Sequence, residues 1–145
     1  MTSRFISVEI AIKTDGDCDA FVDWFRTQDN YVEKVSCETH RWYVYFAPLP
    51  SGCADRTIRS ICGDIPGWPE MVRRQWEQAA IREFLVGYEI GTDPTAHLDH
   101  FDASTLELAA KFGAGIGLAL YPPTMKSSSE TQNEEAEQAV DGNPH

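Results

Sequence analysis

The densest run of chemically capable side chains is His97-Leu98-Asp99-His100. An imidazole beside a carboxylate can move a proton, with the carboxylate fixing the ring tautomer, or the two can donate ligands to a metal ion. On an extended segment His97 and Asp99 fall on one face and His100 on the other, so at most two of the three reach one ion without a bulge. Two ligands do not complete a zinc site. Completion needs Cys37 and His40, three residues apart on an expected hairpin turn, so the candidate metal set is Cys37, His40, His97 and Asp99. The same residues also read as ordinary polar groups of an exposed strand and turn.

A second set is cationic. Arg56 and Arg59 are three apart on an expected helix and share its face, while Arg73 and Arg74 sit on the next one, beside Glu70 and Glu77. Clustered guanidinium groups bind carboxylate or phosphate bidentately, and they equally form salt bridges along a solvated helix face. Trp68, between Gly67 and Pro69, is expected as an exposed aromatic contact. Arg56, Arg59, Arg73, Arg74 and Trp68 are therefore the expected partner- or anion-binding residues.

The sequence carries no Gly-x-Ser-x-Gly elbow, no Gly-x-x-x-x-Gly-Lys loop and no Gly-x-Gly-x-x-Gly entering a helix. Gly113-Ala114-Gly115-Ile116-Gly117 leaves a helix and enters a strand, the reverse of the dinucleotide-binding order, so its glycines read as a helix stop and a close-packed strand. No residue is assigned a catalytic role and no cofactor is implied.

Net charge is −11 over 145 residues and is unevenly placed. Residues 41–82 carry six arginines against four acids, residues 83–125 carry six acids against one lysine, and residues 126–145 carry five acids against one lysine. Such a balance excludes sequence-independent nucleic-acid binding, which needs cations facing the phosphates. No apolar run approaches the ~18 residues of a spanning helix, and Glu9 interrupts the start before a signal core forms. A cytoplasmic protein is expected, and Cys18, Cys37, Cys53 and Cys62, with no Cys-x-x-Cys pair, fit a reducing compartment as small buried side chains.

These groups must be positioned by elements that the periodicity outlines. Ile6, Val8, Ile10 and Ile12 alternate as a strand; Cys18, Phe21, Val22 and Phe25 recur at helical spacing behind Asp15 or Asp17 as cap. Tyr31 to Cys37 and Arg41 to Ala47 read as a hairpin, Ala54 to Cys62 as a short helix, and the segment after Pro69 with Val72, Trp76, Ala79 and Ala80 as another. Phe84, Val86, Tyr88 and Ile90 alternate, Thr95 to Phe101 is expected to return as a partner strand, Asp102 caps a helix bearing Leu106, Ala109, Ala110 and Phe112, and Ile116, Leu118 and Leu120 make a last strand. The expected fold is α+β: a ferredoxin-like β-α-β-β-α-β core with an extra helix and a C-terminal β-α-β extension, helices on one face of a mainly antiparallel sheet. One domain over 1–123 is expected, followed by a disordered acidic tail over 124–145, whose few apolar residues cannot offset ordering entropy.

The helix ending Leu108-Ala109-Ala110-Lys111-Phe112-Gly113-Ala114 and running into Ile116, Leu118, Leu120 and Tyr121 resembles the C-terminal end of a family of small bacterial α+β domains. Some members lie beside toxin genes and are regarded as immunity proteins. The resemblance covers Asp102 to Tyr121, rests on structural positions, and implies a bacterial binding domain with no functional residue carried across. The expected function is a non-enzymatic protein-interaction module, immunity- or inhibitor-like, its oligomeric state open. The alternatives are a small enzyme or metal-binding protein using His97, Asp99 and His100, and a small-ligand domain lined by Tyr43, Tyr45 and Tyr88.

Overall fold

A computed structural model describes residues 1–36, 41–46 and 52–123. Strand β1 (Arg4–Lys13) is followed by helix α1 (Asp19–Thr27), strands β2 (Tyr31–Ser36) and β3 (Arg41–Phe46), helix α2 (Ala54–Asp64), a 3-10 turn (Ile65–Gly67), helix α3 (Glu70–Gln78), strand β4 (Ile81–Glu89), helix α4 (Ala103–Lys111) and strand β5 (Gly115–Tyr121). The protein is mixed α+β. Its sheet has the order β2-β3-β1-β4-β5, antiparallel throughout except that β5 runs parallel to β4.

The two-residue period of β1 sets the arrangement. Val8, Ile10 and Ile12 are buried, with Val8 opposite Val86 and Ile10 between Phe84 and Val44. Phe21 and Phe25 from α1, Ile58 from α2, Val72 and Trp76 from α3 and Ala109 from α4 join the same cluster, so the helices cover this face of the sheet. The opposite face carries Ser7, Glu9, Glu83, Leu85 and Glu89. The strand breaks register between Phe5 and Ser7: Ile6, expected on the apolar face, sits at the irregularity, and Phe5 meets Tyr88 edge-on at 6.1 Å between ring centroids.

The helix ends follow their sequence signals with one substitution of role. Asp17 accepts the Asp19 N–H at 2.8 Å, and Gly113 takes the left-handed conformation at φ 71° that ends α4. Asp102 occupies the N-cap of α4, but its side chain makes no cap hydrogen bond and turns to Arg59 instead.

Two expectations are corrected. Thr95 to Phe101 forms no strand. The place beside β4 is taken by β5, so the extension is a crossover from β4 through α4 to β5, without a hairpin. Phe101 packs against the core, but Leu98 is 77% exposed and His97, Asp99 and His100 are polar, so the 95–101 segment lacks the apolar alternation of a buried strand. Trp68 is not exposed either. At 5% exposure it packs among Phe21, Trp24, Phe25 and Trp76 with ring centroids 5.1–6.0 Å away. The short 3-10 turn before it folds the indole back under α1, a distance in space that a loop reading cannot supply. The expected tail over 124–145 lies outside the described residues.

Replacing Trp68 by Ala removes a buried ring shared by α1 and α3, and is expected to lower the unfolding free energy by about 3–5 kcal/mol. A loss under roughly 0.5 kcal/mol in urea denaturation, the range of surface substitutions, would contradict this placement.

Candidate functional site

The segment between β4 and α4 has no regular structure, so its position depends on how it is tied down. Gly91 is the first tie. A Cβ there would stand 2.1 Å from the Met1 carbonyl oxygen, so only glycine lets the first residues cross. The Gly91 N–H donates to Ser3 Oγ at 2.8 Å, and the N–H groups of Thr92 and Asp93 donate to the Met1 carbonyl at 2.9 and 3.2 Å.

The second tie is Tyr88. Its hydroxyl donates to Asp99 Oδ2 at 2.5 Å, the His100 N–H donates to Asp99 Oδ1 at 2.9 Å, and the His97 ring lies 5.3 Å from the Tyr88 ring. Burial, then the hydrogen bond and charge of Asp99, push the Tyr88 phenol far above its ordinary pKa. Tyr88 is therefore a permanent donor.

These residues wall a groove of about 380 Å³ whose other side is Leu118 and Leu120. In register terms Leu118 stands beside Val86 and Leu120 beside Tyr88, so both leucines project on the helix-covered face. Yet they are 62% and 63% exposed, because α4 packs on α2 and leaves this end of the sheet open. Among the described residues no strand follows beyond β5 in the sheet order, so β5 is an end strand of the sheet. The residue types were legible in the sequence, but the groove was not, because the alternation of Leu118 and Leu120 shows a strand and not which helix covers it.

The third tie holds α4. Arg59 Nε donates to Thr105 Oγ1 at 2.6 Å and lies 3.1 Å from Asp55, while Arg59 Nη2 reaches Asp102 at 3.0 Å and the Ser104 hydroxyl. Asp55 in turn accepts the Asp102 N–H at 2.9 Å. Burial alone would raise the Asp55 carboxyl; the hydrogen bonds from Thr105 and the Asp102 backbone, with the Arg59 charge, hold it below its ordinary value.

The sequence-derived residues are thus dispersed. Arg59 is occupied by this clasp, Arg74 pairs with Glu70 at 2.8 Å, Arg56 is exposed on α2, Arg73 turns into a separate cleft, and Trp68 is core. His97 and Asp99 share the groove, but no hydrogen bond joins them, since Asp99 is engaged by Tyr88 and the His100 backbone. Cys37 and His40 lie outside the described residues, among which no three His, Cys, Asp or Glu side chains stand close enough to hold a metal ion. Tyr43 and Tyr45 stand in register with Ala11 and Glu9, separated from β4 by β1.

No family model, no curated protein and no solved structure matches this chain.

Tyr88→Phe removes the donor to Asp99 and is expected to cost about 1 kcal/mol, with faster amide exchange confined to residues 91–102; unchanged exchange there would show that Tyr88 does not hold the segment. The clasp carries a sign. A lowered Asp55 pKa contributes stability that is present above the ordinary carboxylate value of about 3.9 and is lost as pH falls through the folded value. Asp55→Asn is therefore expected to flatten the acid limb of a melting-temperature profile below about pH 4, and an unchanged limb would contradict the assignment.

Proposed function

We propose that the protein is a protein-binding module, immunity- or inhibitor-like, that takes a basic partner on the outer edge of β5 and in the groove beside it. One observation carries this reading. Parallel strand pairs are ordinarily covered on both faces, whereas β5 ends the sheet with Leu118 and Leu120 mostly exposed. Its seven residues, Gly-Ile-Gly-Leu-Ala-Leu-Tyr, include no charge, proline or other device that keeps edges apart. An extended segment of a partner can add to such an edge through its backbone, while an apolar side chain enters the groove.

Charge selects the partner's chemistry. Residues 83–125, which include β5 and the groove's Asp99, carry six acids against one lysine, a balance that favours a basic partner and speeds its approach. We read the resemblance of Asp102 to Tyr121 to small bacterial domains, some of them regarded as immunity proteins, as consistent with this role. We also read β1 to β4 with α1 to α3 as a ferredoxin-like core; the strand order β2-β3-β1-β4, antiparallel at every step, supports it. Among the described residues no helix is long and apolar enough to cross a membrane.

The test compares the full chain with its Leu118→Lys, Leu120→Lys double variant. The wild type is expected to retain a basic protein at low salt, at least tenfold more than the variant, with retention falling as salt rises. Equal retention by both, or none at any ionic strength, would overturn the proposal. Sedimentation showing a wild-type dimer that the double variant abolishes would assign the edge to a second copy instead.

A further inference from the structure

The arginine that the groove does not use marks a second site. Arg73 on α3, Arg82 at the start of β4 and Lys111 at the end of α4 come from distant parts of the sequence and line one cleft of about 340 Å³. None of the three has a carboxylate within 4.0 Å among the described residues, unlike Arg59 and Arg74. The Arg73 Nε is buried with no hydrogen-bond partner. A buried guanidinium N–H left unpaired is costly, and such a group marks a place where a ligand or ordered solvent completes the structure.

The cleft holds these cations in place. The Arg82 guanidinium lies 5.9 Å from the Trp76 ring and so close to Gly113 that a Cβ there would be 2.6 Å from it. Gly113, at φ 71°, leaves that space open. The Trp76 indole N–H donates to the Phe112 carbonyl at 3.2 Å, fixing the α4 end against α3, and Lys111 Nζ sits 5.8 Å from the Phe112 ring. Cation–π contacts orient these charges without neutralising them.

We propose that this cleft binds a small dianionic phosphate monoester carrying an apolar or planar group. Three cations against the one carboxylate of the cleft, Glu77, leave two positive charges, which match a dianion better than a carboxylate. Two guanidinium groups supply the planar forks that phosphate oxygens accept. Phe112 and Pro66, which also line the cleft, take the ester's organic part. The site is separate from the β5 groove and stands or falls independently of it.

The experiment is an amide-shift titration of the isotopically labelled full chain with phenyl phosphate in low-salt chloride buffer, with benzoate and phenol as comparators. Saturable shifts are expected at Arg73, Arg82, Lys111 and Gly113, with benzoate about tenfold weaker and phenol inactive. Arg73→Gln and Lys111→Gln are each expected to weaken binding about tenfold while the remaining spectrum is retained, and Glu77→Gln to tighten it by a few fold. That reversal of sign separates binding from a structural effect. Lack of saturable shifts up to about 10 mM phenyl phosphate, equal binding of phenol, or affinity unmoved by all three substitutions would overturn the proposal.

Discussion

Everything in the fold depends on β1 having a neighbour on both sides and helices over one face. Because side chains alternate, placing Val8, Ile10 and Ile12 beneath the helices sends Ser7, Glu9 and Ala11 to the other face for the whole strand. Val44, Phe84 and Val86 are then committed to the helix side by register alone. The helices carry matching apolar stripes, and the Phe21, Trp68, Trp76 and Phe84 rings fill the space between α1, α3 and β4. A one-residue slip of β1 would exchange the apolar set with Ser7 and Glu9, so the register is strongly specified.

Against that rigid centre, the β4–β5 end is assembled from polar ties. Residues 90–114 leave the sheet and return to it, and of their apolar side chains only Ala109 and Ala114 are buried in the core. Instead the path is fixed at Gly91 by backbone donors, at Tyr88 by one hydroxyl and at Arg59 by one guanidinium spanning α2 and α4. A guanidinium suits the last task because its fork meets Thr105, Asp55 and Asp102 at once. The groove and the exposed leucines follow from this arrangement: α4 is held over α2, so the end of the sheet stays open.

Much of this was legible in the sequence where periodicity and caps agree. The strand of Val8, Ile10 and Ile12, the helices of Phe21 and Phe25 and of Val72 and Trp76, and the stop at Gly113 are local signals that packing reinforces. What failed was long-range. The 95–101 strand competed with β5 for one position beside β4, and propensity cannot rank competitors that lie twenty residues apart. Trp68 read as exposed because its burial depends on α1, and while Asp102 takes its expected N-cap position, its side chain is drawn to Arg59, 43 residues away. For the candidate sites, the sequence offered Arg73 and the acidic 83–125 region but grouped the arginines by helix. Arg82 and Lys111 join Arg73 only through tertiary contact.

The parallel junction of β4 and β5 also has a consequence between molecules. Strand β5 joins β4 across a shorter stretch of chain than the one separating β1 from β4, so it adds to the sheet at the smaller loop-closure cost. What it adds is an uncharged seven-residue strand at the end of the sheet, the kind of edge prone to pair between chains. A net charge of −11 makes like copies repel one another. The acidity of the chain thereby acts as colloidal protection for its least guarded strand.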